Sequence, residues 1–264
     1  MNKNAPLINQ NAPLYEVLRN ASEEELAKIA DLITDSGKGR ASLDDKVKNQ
    51  IYTAQHFKRL APIVDILERE IRRFGSNSVA TFFGSELISY PEMVVDVAKK
   101  IGAKFYKDDC VSKIEFAILE LMLGAALKGK TSTEIKEMLR QSGCNVSDEI
   151  GKSLSGVTNT KVILDTVVKF LGPYQLSRIM AASVTPTVFT ASTITATTAF
   201  GVVRAPAMLN PIGLALGVVW GAYGLSGPAY RVTIPVVTTV AYIRQTQIKF
   251  QIDRFCMELK QLCQ

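Results

Sequence analysis

The sequence predicts an all-α protein: a soluble multi-helix bundle followed by an apolar Gly/Thr-rich helical hairpin and an amphipathic C-terminal helix. Three observations predict it. Apolar residues in the first half recur at spacings of three and four behind helix-capping signatures. No convincing strand or internal repeat interrupts that series. Finally, Thr166–Ile252 contains no Asp or Glu, and its only formal charges are Lys169, Arg178, Arg204, Arg231, Arg244 and Lys249. The expected division is a soluble charged helical domain over 1–165 and an apolar hairpin region over 166–264. The latter comprises an apolar hairpin over 179–243 and a docking helix over 244–264.

The elements follow in order. Ser22-Glu-Glu-Glu25 is a capping box, and Leu26, Ile29, Ala30 and Ile33 behind it give one apolar face. Asp35–Arg40 ends that helix in a glycine loop that is neither a Walker A motif nor preceded by a strand. Ser42 and Asp45 open a helix toward Leu60, and Pro62 begins another that ends at Gly75, with Glu68–Arg72 as an i,i+4 pair. A short helix is expected through Val79–Phe83. Pro91–Ile101 follows, with Met93, Val94, Val97 and Ala98 inward and Gly102 as its stop. Asp109–Leu127 is the most apolar of these helices and is expected at the centre of the core through Ile114, Ala117, Ile118, Leu121, Met122 and Ala125. A second capping box, Thr131 to Glu134, starts a helix to Gln141. Lys161–Leu171 is closed by Gly172-Pro173.

The acid-free region divides into three uncharged blocks. Ile179–Val203 has 25 residues and seven threonines. It is long enough for a bilayer core of about 30 Å but only marginally apolar. In Ala205–Tyr230, Gly213, Gly217 and Gly221 recur every four residues and line one helix face as two overlapping GxxxG units, where another backbone can approach. Each costs roughly 1 kcal/mol against alanine in an exposed helix. Trp220 and Tyr223 near its end suit a membrane interface, as do Arg178, Arg204 and Arg244 as snorkelling anchors. Val232–Ile243 is too short to cross alone and contains Pro235, so a hairpin or re-entrant insertion is expected. In the tail, Ile248, Ile252, Phe255, Leu259 and Leu262 form a short a/d seam, expected to dock on the same chain.

Composition excludes several functions. The net charge of +6 lies wholly in the acid-free region, one cation at a time, so the clustered Lys/Arg surface that nucleic acid needs is not expected. The single histidine, His56, and four scattered cysteines offer no metal-ligand spacing. Ser226 lacks a nucleophile elbow, because Pro228 replaces the second glycine. Asp44-Asp45 and Asp108-Asp109 stand at helix starts, where they complement the dipole. No catalytic, cofactor-binding or metal-binding residue is expected. The N-terminus has no apolar signal segment.

Several segments carry a family resemblance. They are Glu24–Thr34, the Lys38-Gly-Arg40 loop, Phe74–Ala80, Val94–Lys100 and above all Ser226–Val237, within which Ala229-Tyr230-Arg231-Val232-Thr233-Ile234-Pro235 is the most specific. The chain resembles the bacterial YaaW family. That family's domain label, ubiquinol–cytochrome c chaperone, implies help in assembling a respiratory complex.

The expected function is a non-enzymatic helical protein of the cytoplasm that associates with the inner membrane through 179–243, as a scaffold or permeabilising assembly. The expected partner is membrane lipid or an apolar protein client, with homo-oligomers through the glycine face also allowed. The alternatives are the respiratory chaperone and a soluble interaction protein with a buried hydrophobic hairpin.

Overall fold

Three reciprocal capping boxes set the helix starts. A computed structural model describes residues 10–35, 43–76, 87–145, 153–154, 156–157, 159–184, 211–222 and 230–263, with the side chains of 217–222 left aside. Among them every regular element is helical. Helix α1 is Leu14–Arg19 and α2 is Glu23–Thr34, whose box pairs the Ser22 hydroxyl with the Glu25 N–H and the Glu25 carboxylate with the Ser22 N–H. Helix α3, Asp45–His56, is capped by Asp44 rather than Ser42, and stops short of Leu60. A 3₁₀ turn, Ala61–Ile63, leads into α4, Val64–Ser76.

Helix α5, Tyr90–Ile101, has a box that the sequence reading missed, Ser89 with Glu92, and ends at Gly102 as expected. Helix α6 is Val111–Leu127 and α7 is Ser132–Gln141, begun by the Thr131–Glu134 box. Helix α8 runs Thr160–Ser183 with a break at Gly172, whose φ of 66° and ψ of 173° lie where a side chain is strained. Helix α9 is Pro211–Ala222, and α10 is Tyr230–Leu262, 33 residues that continue through Pro235.

The centre of the bundle is α10, not α6. Helix α10 packs against α1, α2, α4, α5, α6 and α8, and every residue from Val232 to Ala241 is buried. Helix α6 is rotated from its expected face: Ile114, Ile118 and Met122 are buried as predicted, but Leu121 is exposed while Glu115, Leu119 and Leu123 are inside. A polar residue at a core position carried no apolar signal, so periodicity placed the face one step away.

The expected division of the chain also differs from the observed one. A boundary at 165/166 falls inside α8, and one at 243/244 falls inside α10. Buried residues of both regions form one hydrophobic cluster. The third apolar block is therefore the spine of the bundle rather than part of a hairpin beside it. Its own charged neighbour, Arg244, shows why.

Candidate functional site

Two features of α10 stand out: a buried polar cluster at its middle and an uncovered apolar end. Arg244, expected as an interface anchor, is 0% exposed, and Glu115 of α6 is 1%. Arg244 Nε donates to Glu115 Oε2 at 3.0 Å and Nη2 donates to Oε1 at 3.4 Å. Its Nη1 donates to the Ala12 carbonyl at 3.0 Å, and the Tyr90 hydroxyl donates to Glu115 Oε1 at 2.7 Å. One turn on, Gln247 Nε2 donates to the Val17 carbonyl at 2.8 Å, while its Oε1 is buried without a hydrogen-bond partner. The cluster joins α1, α5 and α6 to the central helix.

The electrostatics follow from burial. Loss of water pushes the Glu115 carboxyl up, and Arg244 and the Tyr90 hydroxyl oppose that rise. Burial, then the Glu115 charge, pushes the Tyr90 phenol well up. For Arg244, burial alone would lower the guanidinium, but Glu115 and Tyr90 outweigh it and the net shift is upward. Such a pair fixes geometry; its value appears mainly when one partner is removed, leaving an uncompensated charge. Arg244 is thus an internal tie, and the anchor expectation is overturned.

The family motif is part of the same spine. Val232, Thr233, Ile234 and Pro235 are buried. Tyr230, at the start of α10, donates to Asp96 Oδ2 at 3.2 Å; burial and then Asp96 push its phenol to about 12. Lys100 lies over its ring at 5.1 Å. Arg231 follows at intermediate burial. Ala229 lies outside the described residues.

The remaining predicted residues are dispersed. Gly213 is a close-approach position: a Cβ there would sit 3.0 Å from the Ser183 carbonyl oxygen. That contact joins the end of α8 to the start of α9, on either side of residues 185–210. Gly217, Trp220 and Gly221 fall on α9 where no side-chain contact is described, and Tyr223 and Arg204 lie outside the described residues. Arg178 is no free anchor either: its Nη2 donates to the Gly143 carbonyl at 2.7 Å and its Nε to Gln175. Among the described residues, no helix is long and apolar enough to cross a membrane, and no three His, Cys, Asp or Glu are grouped to hold a metal.

The last four turns of α10 leave the bundle. From Phe250 to Leu262 only Gln251 has even intermediate burial, with Phe255 at 59% and Leu262 at 83% exposure. Among the described residues, the expected docking of this tail on the same chain is not seen. Where the helix departs, a groove of about 490 Å³ opens between it, α6 and α8, lined by Phe116, Pro173, Tyr174, Ile248, Lys249 and Ile252 among others.

Three relatives place the chain. A UPF0174 protein of Helicobacter pylori J99 is 27% identical over 239 residues, covering 87% of this chain and 89% of that protein. UPF0174 protein YaaW of Escherichia coli K12 is 27% identical over 233 residues, covering 87% of this chain and 92% of that protein. A UPF0174 protein of Helicobacter pylori 26695 is 28% identical over 185 residues, 67% of this chain and 86% of that protein. No family model and no solved structure matches. The alignments run through two thirds or more of each chain, so the chain is similar to the UPF0174 proteins, YaaW among them.

Proposed function

We propose that this protein is a non-enzymatic helical interaction protein whose acid-free region serves largely as internal packing. Its partner-binding surface is the projecting end of α10. The carrying observation is that one continuous helix is enclosed by protein through Gln247 and stands free from Phe250 with its apolar seam uncovered. Four exposed side chains at a/d spacing form a surface that a second helix covers efficiently. Held in the core by Glu115, Arg244 cannot serve as a headgroup anchor without breaking the fold.

The test is fractionation of lysed cells with carbonate extraction. The reading predicts recovery of the full chain in the soluble fraction, with its helical unfolding transition intact. Sedimentation with membranes that resists carbonate overturns it. One observation favours a second reading, contact with lipid: the contact of Gly213 with Ser183 brings together the flanks of 185–210, a stretch whose single charge is Arg204. On that reading the bundle stays folded and outside the bilayer while the stretch between those flanks touches it. Flotation of purified protein with anionic vesicles, lost on high-salt washing, would favour it.

A further inference from the structure

We infer that the chain's own residues 1–9, which lie outside the described residues, close the groove at the base of the projecting helix, with Leu7 and Ile8 as its apolar filling. Gln10 and Asn11 fix where that segment arrives. Helix α6 has no side-chain cap of its own, because Cys110 stands at its N-cap without a capping hydrogen bond. Gln10 and Asn11 supply the missing acceptors. The Val111 N–H donates to Asn11 Oδ1 at 2.9 Å, and the Ser112 N–H donates to the Gln10 carbonyl at 3.1 Å. The Cys110 thiol donates to Gln10 Oε1 at 3.1 Å, and the Ala12 carbonyl accepts from Arg244 at 3.0 Å. Gln10 is thus pinned to the start of α6. It also forms part of the groove wall, with Phe116, Tyr174, Ile248 and Ile252.

Reach, size and tethering select this occupant. Ile8 and Leu7 stand two and three residues before Gln10, so an extended chain carries them up to about 7 and 10 Å from it. A space of about 490 Å³ is roughly 8 Å across, within that reach. Leu7 and Ile8 are also an adjacent pair of large aliphatic residues in an otherwise mostly polar segment. A separate protein needs on the order of 1,000 Å² of buried surface to dock stably, more than the mouth of such a groove offers. A segment already held at Gln10 loses no translational freedom on docking, so two aliphatic side chains suffice. With the groove closed in this way, the uncovered seam of α10 is Phe255, Leu259 and Leu262.

The experiment uses dilute full-length chain in a Cys110→Ser/Cys256→Ser/Cys263→Ser background, where the remaining Cys144 is buried. A thiol introduced by Ile252→Cys or by Leu259→Cys is labelled with a maleimide. The side chains replaced are 55% and 44% exposed, so without cover position 252 reacts at least as fast as position 259. The expected result is labelling at 252 at least about 10-fold slower than at 259, independent of protein concentration. Leu7→Asp/Ile8→Asp should erase that difference and, in the otherwise unaltered chain, lower Tm by about 4–8 °C. Asn2→Asp/Asn4→Asp adds the same charge away from the aliphatic pair and should change neither. Equal labelling at the two positions overturns the inference, as does a Tm for Leu7→Asp/Ile8→Asp within about 1 °C of the Asn2→Asp/Asn4→Asp value. Slowing that appears only as the protein is concentrated also overturns it, by assigning the cover to a second copy. Carbonate extraction reads the tail's role separately, so the two can fail independently.

Discussion

Replacing Arg244 by Met tests the buried tie. The substitution keeps apolar volume but strips Glu115 of its buried countercharge and leaves the Ala12 carbonyl without its guanidinium donor. Breaking a buried pair from one side costs about 3–5 kcal/mol, a large part of the 5–15 kcal/mol typical of a whole protein. Glu115→Gln alone should cost a similar amount, because it strands the guanidinium. The double variant removes both charges, so its cost should fall to about 1–2 kcal/mol for lost hydrogen bonds, a coupling of at least about 2 kcal/mol.

The pH dependence gives a second handle. Without Arg244, Glu115 keeps its proton in the folded state well above its ordinary value, whereas the unfolded chain loses it near 4.5. The folded state then binds more protons, so stability falls as pH rises through that window, by up to about 1.4 kcal/mol per unit. The deficit of Arg244→Met should therefore be smallest near pH 4 and largest at neutrality. Urea unfolding at several pH values measures all three variants. A cost for Arg244→Met below about 1 kcal/mol, or additive single and double variants, refutes the reasoning and restores a surface role for this arginine.

Two further outcomes follow from the packing. Gly213→Ala places a Cβ 3.0 Å from backbone, the Ser183 oxygen, which cannot swing aside; the expected loss is about 1–3 kcal/mol, seen as a lowered Tm. Cys256 and Cys263 are exposed, whereas Cys144 is buried and its thiol is pushed up by burial, with Arg178 opposing. A disulfide reagent should consume the first two within seconds to minutes and Cys144 only as the protein unfolds.

Much of the scaffold was legible in the sequence because helix starts depend on local chemistry. Ser22 with Glu25 and Thr131 with Glu134 satisfy their own backbone groups whatever surrounds them. The inward set Met93, Val94, Val97 and Ala98 follows from one helical face. Ser89 with Glu92 offered the same signal and was missed because Pro91 drew the helix start one residue late. The role of the acid-free region was not legible. An uncharged run has the same composition whether lipid or protein covers it, and only the partner of Arg244 distinguishes the two. That partner, Glu115, lies 129 positions away in the sequence, on a helix whose apolar pattern pointed to a neighbouring face. The tail failed for a related reason: an a/d seam predicts a covering helix but does not say which chain supplies it.

The central claim is that α10 is one helix with an enclosed half and a free half. Amide hydrogen exchange on dilute, monomeric protein tests it most directly. Val232–Gln247 should exchange only through global unfolding, at the full stability of the protein, while Phe250–Leu262, exposed at every position but Gln251, should exchange early. Uniform protection along α10, or fast exchange across the Tyr230–Pro235 motif, would contradict the account.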